Sequence, residues 1–228
     1  MSALQNSWFL FHVLFVVHVV LYFLNYFMYL DLPLFPVDAL YSRAHYCLAS
    51  AFGLVLFKTY KNSHLNVPTM QKALSDINFQ YFILTLCFSR LPEAPLSLLP
   101  LAIYSVYHAV GFILPYVKKT SLESNLKSIV ALQGDATLFA ARLEIYAMFD
   151  IFLRFIIGRG SLLLVIVYFQ FLRFQFSTSQ KTRIALTELG SQLEALSLHE
   201  KCPPAIRSYY LKARQFMLGI NQGQRKTE

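Results

Sequence analysis

The spacing of apolar and polar residues gives its clearest signal first: residues 8–30 are 23 consecutive positions without a formal charge. At about 1.5 Å per helical residue such a run crosses a hydrocarbon core about 30 Å thick, with room for tilt. It has neither a basic leader nor an A-x-A step, so it predicts a retained anchor and not a secretory signal. Asp31, Pro33, Pro36 and Asp38 end it in a turn. Further apolar stretches follow at 39–57, 77–89 and 96–117. The first of these is interrupted by Arg43, near its start, where a long side chain reaches the headgroups, and it is closed by Lys58 and Lys61. The stretch at 77–89 reaches membrane length only by starting near Gln71, with Lys72 and Asp76 at its interface. These four runs predict transmembrane helices in two hairpins.

Residues 120–142 mix Leu122, Leu126, Ile129, Val130, Leu132, Leu138 and Phe139 with polar positions, which predicts a helix on the membrane surface or against the bundle. Two apolar arms, 143–157 and 161–176, then flank Gly158-Arg159-Gly160 and carry Glu144, Asp150, Arg154 and Arg173. Two arrangements fit them: a shallow hairpin entering one leaflet, or two short spans whose polar groups face protein. In the tail, Leu186, Leu189, Leu193 and Leu196 repeat at helical spacing until Cys202-Pro203-Pro204 stops the pattern. Ile206, Tyr209, Tyr210, Ala213, Phe216, Met217 and Ile220 then share one side, with Arg207, Lys212 and Arg214 away from it, a basic amphipathic helix over 205–220. The predicted fold is an all-α integral membrane protein: about four transmembrane helices in two hairpins, a short Gly-linked hydrophobic hairpin and C-terminal amphipathic helices. Its sections are 1–119, 120–176 and 177–228.

Composition excludes the soluble alternatives. Of 228 residues 56% are hydrophobic and 14% charged, against about 45–50% and about 25% in soluble domains. The net charge of +8 is uneven: +1 over 1–117, +2 over 118–172 and +5 over 173–228. A basic tail on a membrane protein points to anionic lipid ahead of nucleic acid, because topology itself places Lys and Arg on the cytoplasmic side. The loop at 31–38 is acidic, that at 58–76 is basic, and Lys118-Lys119 follow the fourth run, so both termini are expected in the cytoplasm.

Candidate chemistry is sparse. Cys47, Cys87 and Cys202 form no CxxC, and His12 and His18, six apart, share no helical face, so no disulfide framework or metal site is expected. His45 and His108, from different spans, suit interhelical polar contacts. Asp150 and Arg154 are four apart in the favourable acid-before-base order. They read as an intramembrane polar pair, structural at headgroup level, with a role lining a transport path as the alternative. Glu144, near the helix entrance, reads as solvated. Gly158-Arg159-Gly160-Ser161 lacks the strand and the Gly-Lys-Ser ending of a phosphate loop, and predicts a tight turn with Arg159 on lipid phosphate. Tyr168, Phe169, Phe171, Phe174 and Phe176 around Arg173 read as an interfacial aromatic belt. The lipid-contact candidates are Arg159, Arg173, Arg207, Lys212 and Arg214; no catalytic, cofactor-binding or metal-binding residue is expected. For the last helix, packing on the protein's own surface competes with lipid binding.

The strings ALYSRAHYCLASA at 39–51, LPLAIYSVYHA at 99–109, GRGSLL at 158–163 and YFQFLRFQF at 168–176 occur in that order, and a Cys-Pro at 202–203 leads into a basic, aromatic-bearing helix. Over residues 39–217 the chain resembles the transmembrane protein 33 family of endoplasmic-reticulum and nuclear-envelope proteins, which includes fungal pore-and-ER-membrane members and Krüppel homologue 2. The resemblance implies a non-enzymatic protein of tubular ER and nuclear envelope, with reticulon-type ER-shaping partners and nuclear pore components. It also implies an importin contact through the tail, although Glu188, Glu194 and Glu200 interleave with the basic residues there. The expected function is membrane organisation by leaflet insertion and partner binding, without direct nucleic-acid contact. The alternative is a small multi-span transporter or channel with Asp150 and Arg154 lining its path.

Overall fold

The computed structural model describes residues 3–28, 36–63, 67–118, 120–199, 202–205, 207–208 and 210–212. Among them are nine α-helices and no strand: α1 (Ala3–Met28), α2 (Val37–Tyr60), α3 (Val67–Leu74), α4 (Ile77–Arg90), α5 (Leu98–Ile113), α6 (Ser121–Ala131), α7 (Gln133–Ile156), α8 (Leu162–Thr178) and α9 (Gln180–Leu198). Short 3-10 turns at Pro95–Ser97 and Leu114–Tyr116 flank α5. The chain divides into two compact units, Met1–Thr182 and Arg183–Glu228.

The helix limits follow from local chemistry. Pro36, which cannot continue a helix backwards, precedes α2. Asp76 caps α4 by accepting from the Asn78 backbone N–H at 2.8 Å. At the end of α7, Gly158 adopts a positive φ of 74°. The Arg159 N–H returns to the Arg154 carbonyl at 2.8 Å and the Gly158 N–H to that of Phe155 at 3.1 Å, the paired bonds of a Schellman stop. A Cβ on Gly160 would lie 2.6 Å from the Phe155 nitrogen, so the chain reverses there only because that side chain is missing.

Side-chain pairs fix the directions of the helices in the first unit. Tyr22 meets Tyr41, and His12 meets Phe52, so α1 and α2 run antiparallel. His45 with Phe88 and Phe52 with Tyr81 set α4 antiparallel to α2. Tyr81 with Phe171 and Phe88 with Tyr168 set α8 antiparallel to α4. The core between them is aromatic and aliphatic, with Phe15, Tyr41, Leu48, Phe88, Ile151 and Tyr168 among its fully buried side chains.

Two helical stretches are both long and apolar enough to cross a membrane, Ala3–Met28 and Pro95–Tyr116; a third exists if α8 and α9 are taken as one broken span. Of the four expected spans, α2 has the length, 24 residues, but carries Asp38, Arg43 and Lys58. Helix α4 has 14 residues, about 21 Å of helix, because Asp76 caps it where the expectation needed it to continue back to Gln71.

The 120–142 segment differs from its expectation. It is not one surface helix: the chain turns at Leu132, and residues from Gln133 onward are the opening turns of the 24-residue α7. The arm before the Gly turn is therefore longer than its apolar run. Its depth is set by its partners: Glu144 stands beside Tyr81 near the start of α4, and Arg154 near Glu93 just beyond its end. Helices α7 and α8 thus run the full length of α4, and the Gly turn lies at the end of the bundle where the α4–α5 connection sits.

Candidate membrane-contact surface and its buried anchors

Lysines mark one end of the first unit. Among the described residues Lys58, Lys61, Lys72, Lys118, Lys127 and Lys181 lie at that basic end, whereas at the other Asp38, Glu93 and Asp150 stand with Arg43, Arg90, Arg154 and Arg159. The basic end carries two short helices with apolar stripes turned outward. On α3 the stripe is Val67, Met70 and Leu74; on α6 it is Leu122 and Ile129, continued by Leu132. The i, i+3 and i+7 spacing puts each set on one helical side, the form of a helix lying in a membrane interface. On α6 the exposed polar side carries a Lys127–Glu123 bridge at 2.7 Å. At the other end the described connections are short, 91–97 and 157–161.

Around the α7–α8 tip, Leu153, Ile156, Ile157, Leu162 and Leu163 are all more than half exposed. A soluble monomer rarely shows so continuous an apolar surface, and lipid accounts for it. The expected aromatic belt splits on this helix. Phe169 and Phe176 are exposed, whereas Tyr168 and Phe171 are in the core, since positions three apart on α8 share its inner face.

The expected intramembrane pair forms: the Arg154 Nε–H donates to both Asp150 oxygens, at 2.9 and 3.0 Å, on the last turns of α7. Both side chains are partly exposed, at the end of the bundle opposite the lysines. Nearby, Glu93 accepts from the Tyr22 hydroxyl at 3.0 Å, and the Tyr41 hydroxyl accepts from the Ala94 N–H at 3.1 Å, which fastens the α4–α5 connection to α1 and α2. Burial holds the Glu93 carboxyl above its usual range, and the Asp38 charge adds to this while Arg154 opposes it.

Glu144, expected to be solvated, is instead 2% exposed. The Tyr81 hydroxyl donates to Glu144 Oε1 at 2.8 Å and accepts from Gln175 Nε2 at 2.9 Å, while the Tyr168 hydroxyl donates to the Glu144 backbone carbonyl at 3.0 Å. Four buried polar side chains thereby tie α4, α7 and α8 together. The cause of the difference is distance along the chain: 63 residues separate Tyr81 from Glu144, so no local spacing announces the pair.

The histidines serve packing. His12 Nδ1 lies 3.1 Å from the Ser105 hydroxyl, joining α1 to α5, and the His12 ring meets those of Trp8 and His108 at 4.6 and 4.8 Å. His108 thus meets α1 through ring packing rather than through the polar contact expected of it. His18 and His45 bond the carbonyls of their own helices, so His45 Nδ1 does not make the expected interhelical contact. Among the described residues no three His, Cys, Asp or Glu side chains converge to hold a metal ion.

Of the lipid-contact candidates, Arg159 and Arg173 are exposed on the first unit. In the second unit the Arg207 guanidinium turns back onto α9, donating to the carbonyls of Ser197 at 3.0 Å and His199 at 3.1 Å. These are carbonyls a helix end leaves without internal partners, and a cation there also suits the helix dipole. Lys212 is exposed, and Arg214 lies outside the described residues, as does the expected helix 205–220 beyond residue 212.

The apolar helices and the apolar side chains they turn outward define an all-α integral membrane protein. Its family follows from comparison: residues 1–221 match the model of the Transmembrane protein 33/Nucleoporin POM33 family, and the chain belongs to that family. A Transmembrane protein 33 homolog of Dictyostelium discoideum is 25% identical over 169 residues, 73% of this chain and 58% of that protein. Nucleoporin POM33 of Chaetomium thermophilum is 26% identical over 251 residues, covering 94% of this chain and 86% of that one. Tetra-spanning protein 1 of Schizosaccharomyces pombe is 26% identical over 227 residues, covering 90% and 79%. The chain thus spans little more than half the length of its Dictyostelium relative. No solved structure matches the chain.

Proposed function

We propose that this protein is a non-enzymatic organiser of endoplasmic-reticulum and nuclear-envelope membrane, shaping tubular ER and contributing to nuclear pore organisation. The observation that carries the reading is the asymmetry of the first unit. Interfacial helices α3 and α6 sit at its basic end, opposite the α4–α5 connection and the α7–α8 turn, so the molecule inserts more material into one leaflet than the other. The basic end faces the cytoplasm, both termini lie on that side, and Arg159 lies on the other. Four spans, α1, α2, α4 and α5, fit the two hairpins and agree with the name of the fission-yeast relative. The α7–α8 pair is a third hairpin of the same depth, and its Glu144 and Gln175 meet protein.

The +5 charge of residues 173–228 holds the tail near anionic lipid, with Arg173 and Lys212 as the exposed contacts. Partner binding, to reticulon-type ER-shaping proteins and to pore components, falls to the same side, and an importin contact to the tail. The name of the Chaetomium relative favours the pore association. The partly exposed position of Asp150 and Arg154 at the bundle end supports a structural ion pair over a transport path.

The test is purified full-length protein reconstituted into vesicles and imaged for tubulation, beside fluorescent full-length protein imaged in its own cells. Narrowed, tubulated vesicles and enrichment on tubules over flat sheets are expected. Unchanged vesicles together with an even distribution over sheets and tubules would remove the shaping role. Labelling of a cysteine at position 61 but not at position 159 by an impermeant maleimide applied from the cytosol checks the orientation.

A further inference from the structure

A groove at the basic end of the first unit is used by none of the contacts above. It has a volume of about 480 Å³ and is walled by Trp8 of α1, Leu54 and Val55 of α2 and Phe112 of α5, with exposed Lys58 and Thr59 along it. That size falls within the range of small-ligand sites, about 300–1,000 Å³. Its walls are fixed in place: Phe112 stacks on Phe9 at 4.5 Å, and Trp8 is held edge-on by His12 at 4.6 Å and His108 at 5.3 Å. Two of its three walls belong to the stretches long and apolar enough to cross a membrane, so hydrocarbon chains surround it. Among the described residues Lys58 is the one charged residue lining it, and the first turn of α1 adds no acidic residue. An apolar trough at the end of the spans with a cation on its rim selects a molecule that joins a hydrocarbon chain to an anion.

We propose that this groove binds an anionic phospholipid of the surrounding bilayer. One acyl chain lies against Trp8, Leu54, Val55 and Phe112, and the net negative charge of the headgroup faces the Lys58 ammonium. A lysine in such a position favours anionic over zwitterionic lipid by about fivefold. The site rests on the chain's being membrane-embedded and not on its role in shaping tubules, so loss of the tubule reading would leave it standing.

The experiment uses the full chain in phosphatidylcholine nanodiscs doped with phosphatidylserine that carries a photoactivatable diazirine in one acyl chain. A phosphatidylcholine probe and a free fatty-acid probe run in parallel. Crosslinks are expected to concentrate in residues 4–8, 54–59 and at 112. Lys58→Gln, at an exposed position, lowers phosphatidylserine labelling there about fivefold and leaves phosphatidylcholine labelling unchanged. Val55→Trp fills the groove and lowers labelling by both phospholipids. Three results overturn the proposal: crosslinks spread evenly along the lipid face of α1 as far as Val17 and Val20, equal loss of both phospholipid probes in Lys58→Gln, or preferential labelling by the free fatty acid. If Val55→Trp fails to fold, the Lys58→Gln comparison decides alone.

Discussion

Removing the Tyr81 hydroxyl tests the buried network most directly. In Tyr81→Phe the ring still packs between Phe52 and Phe171, so the change is confined to one oxygen. That oxygen makes two hydrogen bonds, donating to Glu144 Oε1 and accepting from Gln175 Nε2, and both partners are buried. Side-chain hydrogen bonds within membrane proteins are worth about 0.6 kcal/mol on average and about 1.7 at most. Two lost bonds, with both partners left unsatisfied, cost about 1–3 kcal/mol. Tyr168→Phe is the control: its hydroxyl donates to a helical backbone carbonyl, so its loss leaves no side chain unpaired and costs about 1 kcal/mol or less. The assay is reversible unfolding of the purified chain in mixed micelles with increasing SDS. Costs equal within about 0.5 kcal/mol would refute the reasoning, since the ranking follows from the number of groups orphaned. Restoration of Tyr81→Phe towards wild type by adding Gln175→Leu, which removes one orphaned donor, is the second expected outcome.

At the α7–α8 reversal, Gly158→Ala is expected to cost about 1–2 kcal/mol for a Cβ at positive φ. Gly160→Ala costs more, because its Cβ meets backbone atoms of Phe155 and Arg154; the same unfolding assay ranks them, and the reverse order would be wrong for this turn. Glu93 binds its proton more tightly folded than unfolded, so its contribution to stability is complete below the unfolded carboxyl pKa and is lost as pH rises through the raised folded value. Melting from pH 4 to pH 8 is accordingly expected to show a steeper fall for wild type than for Glu93→Gln, and parallel curves would contradict the burial argument. Arg207→Ala, and nearly as much Arg207→Lys, is expected to speed hydrogen exchange at the C-terminal end of α9, because a lysine cannot span several carbonyls at once. Exchange unchanged in both variants would leave Arg207 free for lipid.

What the sequence made legible is what local spacing encodes. The apolar runs located α1, α2, α4 and α5, and the four-residue interval located the Asp150–Arg154 pair, because helix geometry brings i and i+4 together wherever the helix lies. Gly158-Arg159-Gly160 was readable as a turn for a similar reason: its glycines answer to backbone geometry within six residues. The Glu144 network was not readable, since its partners arrive from α4 and α8 and only packing joins them. The break at Leu132 was also hidden. No proline marks it, and the polar opening turns of α7 have the mixed composition of a surface helix. Arg207 belongs with these: its partners ten residues back become neighbours only once the chain has folded past Cys202-Pro203-Pro204.

The short α7–α8 turn has a bearing on how the molecule meets proteases and modifying enzymes. Such enzymes need several residues of extended chain to occupy their clefts, and a Schellman stop followed by a glycine pressed onto the preceding helix offers none at 157–161. In sealed vesicles a protease reaching that side would therefore leave the α7–α8 reversal whole. The reversal is thereby a poor point for regulation by cleavage or by a modifying enzyme that needs extended chain.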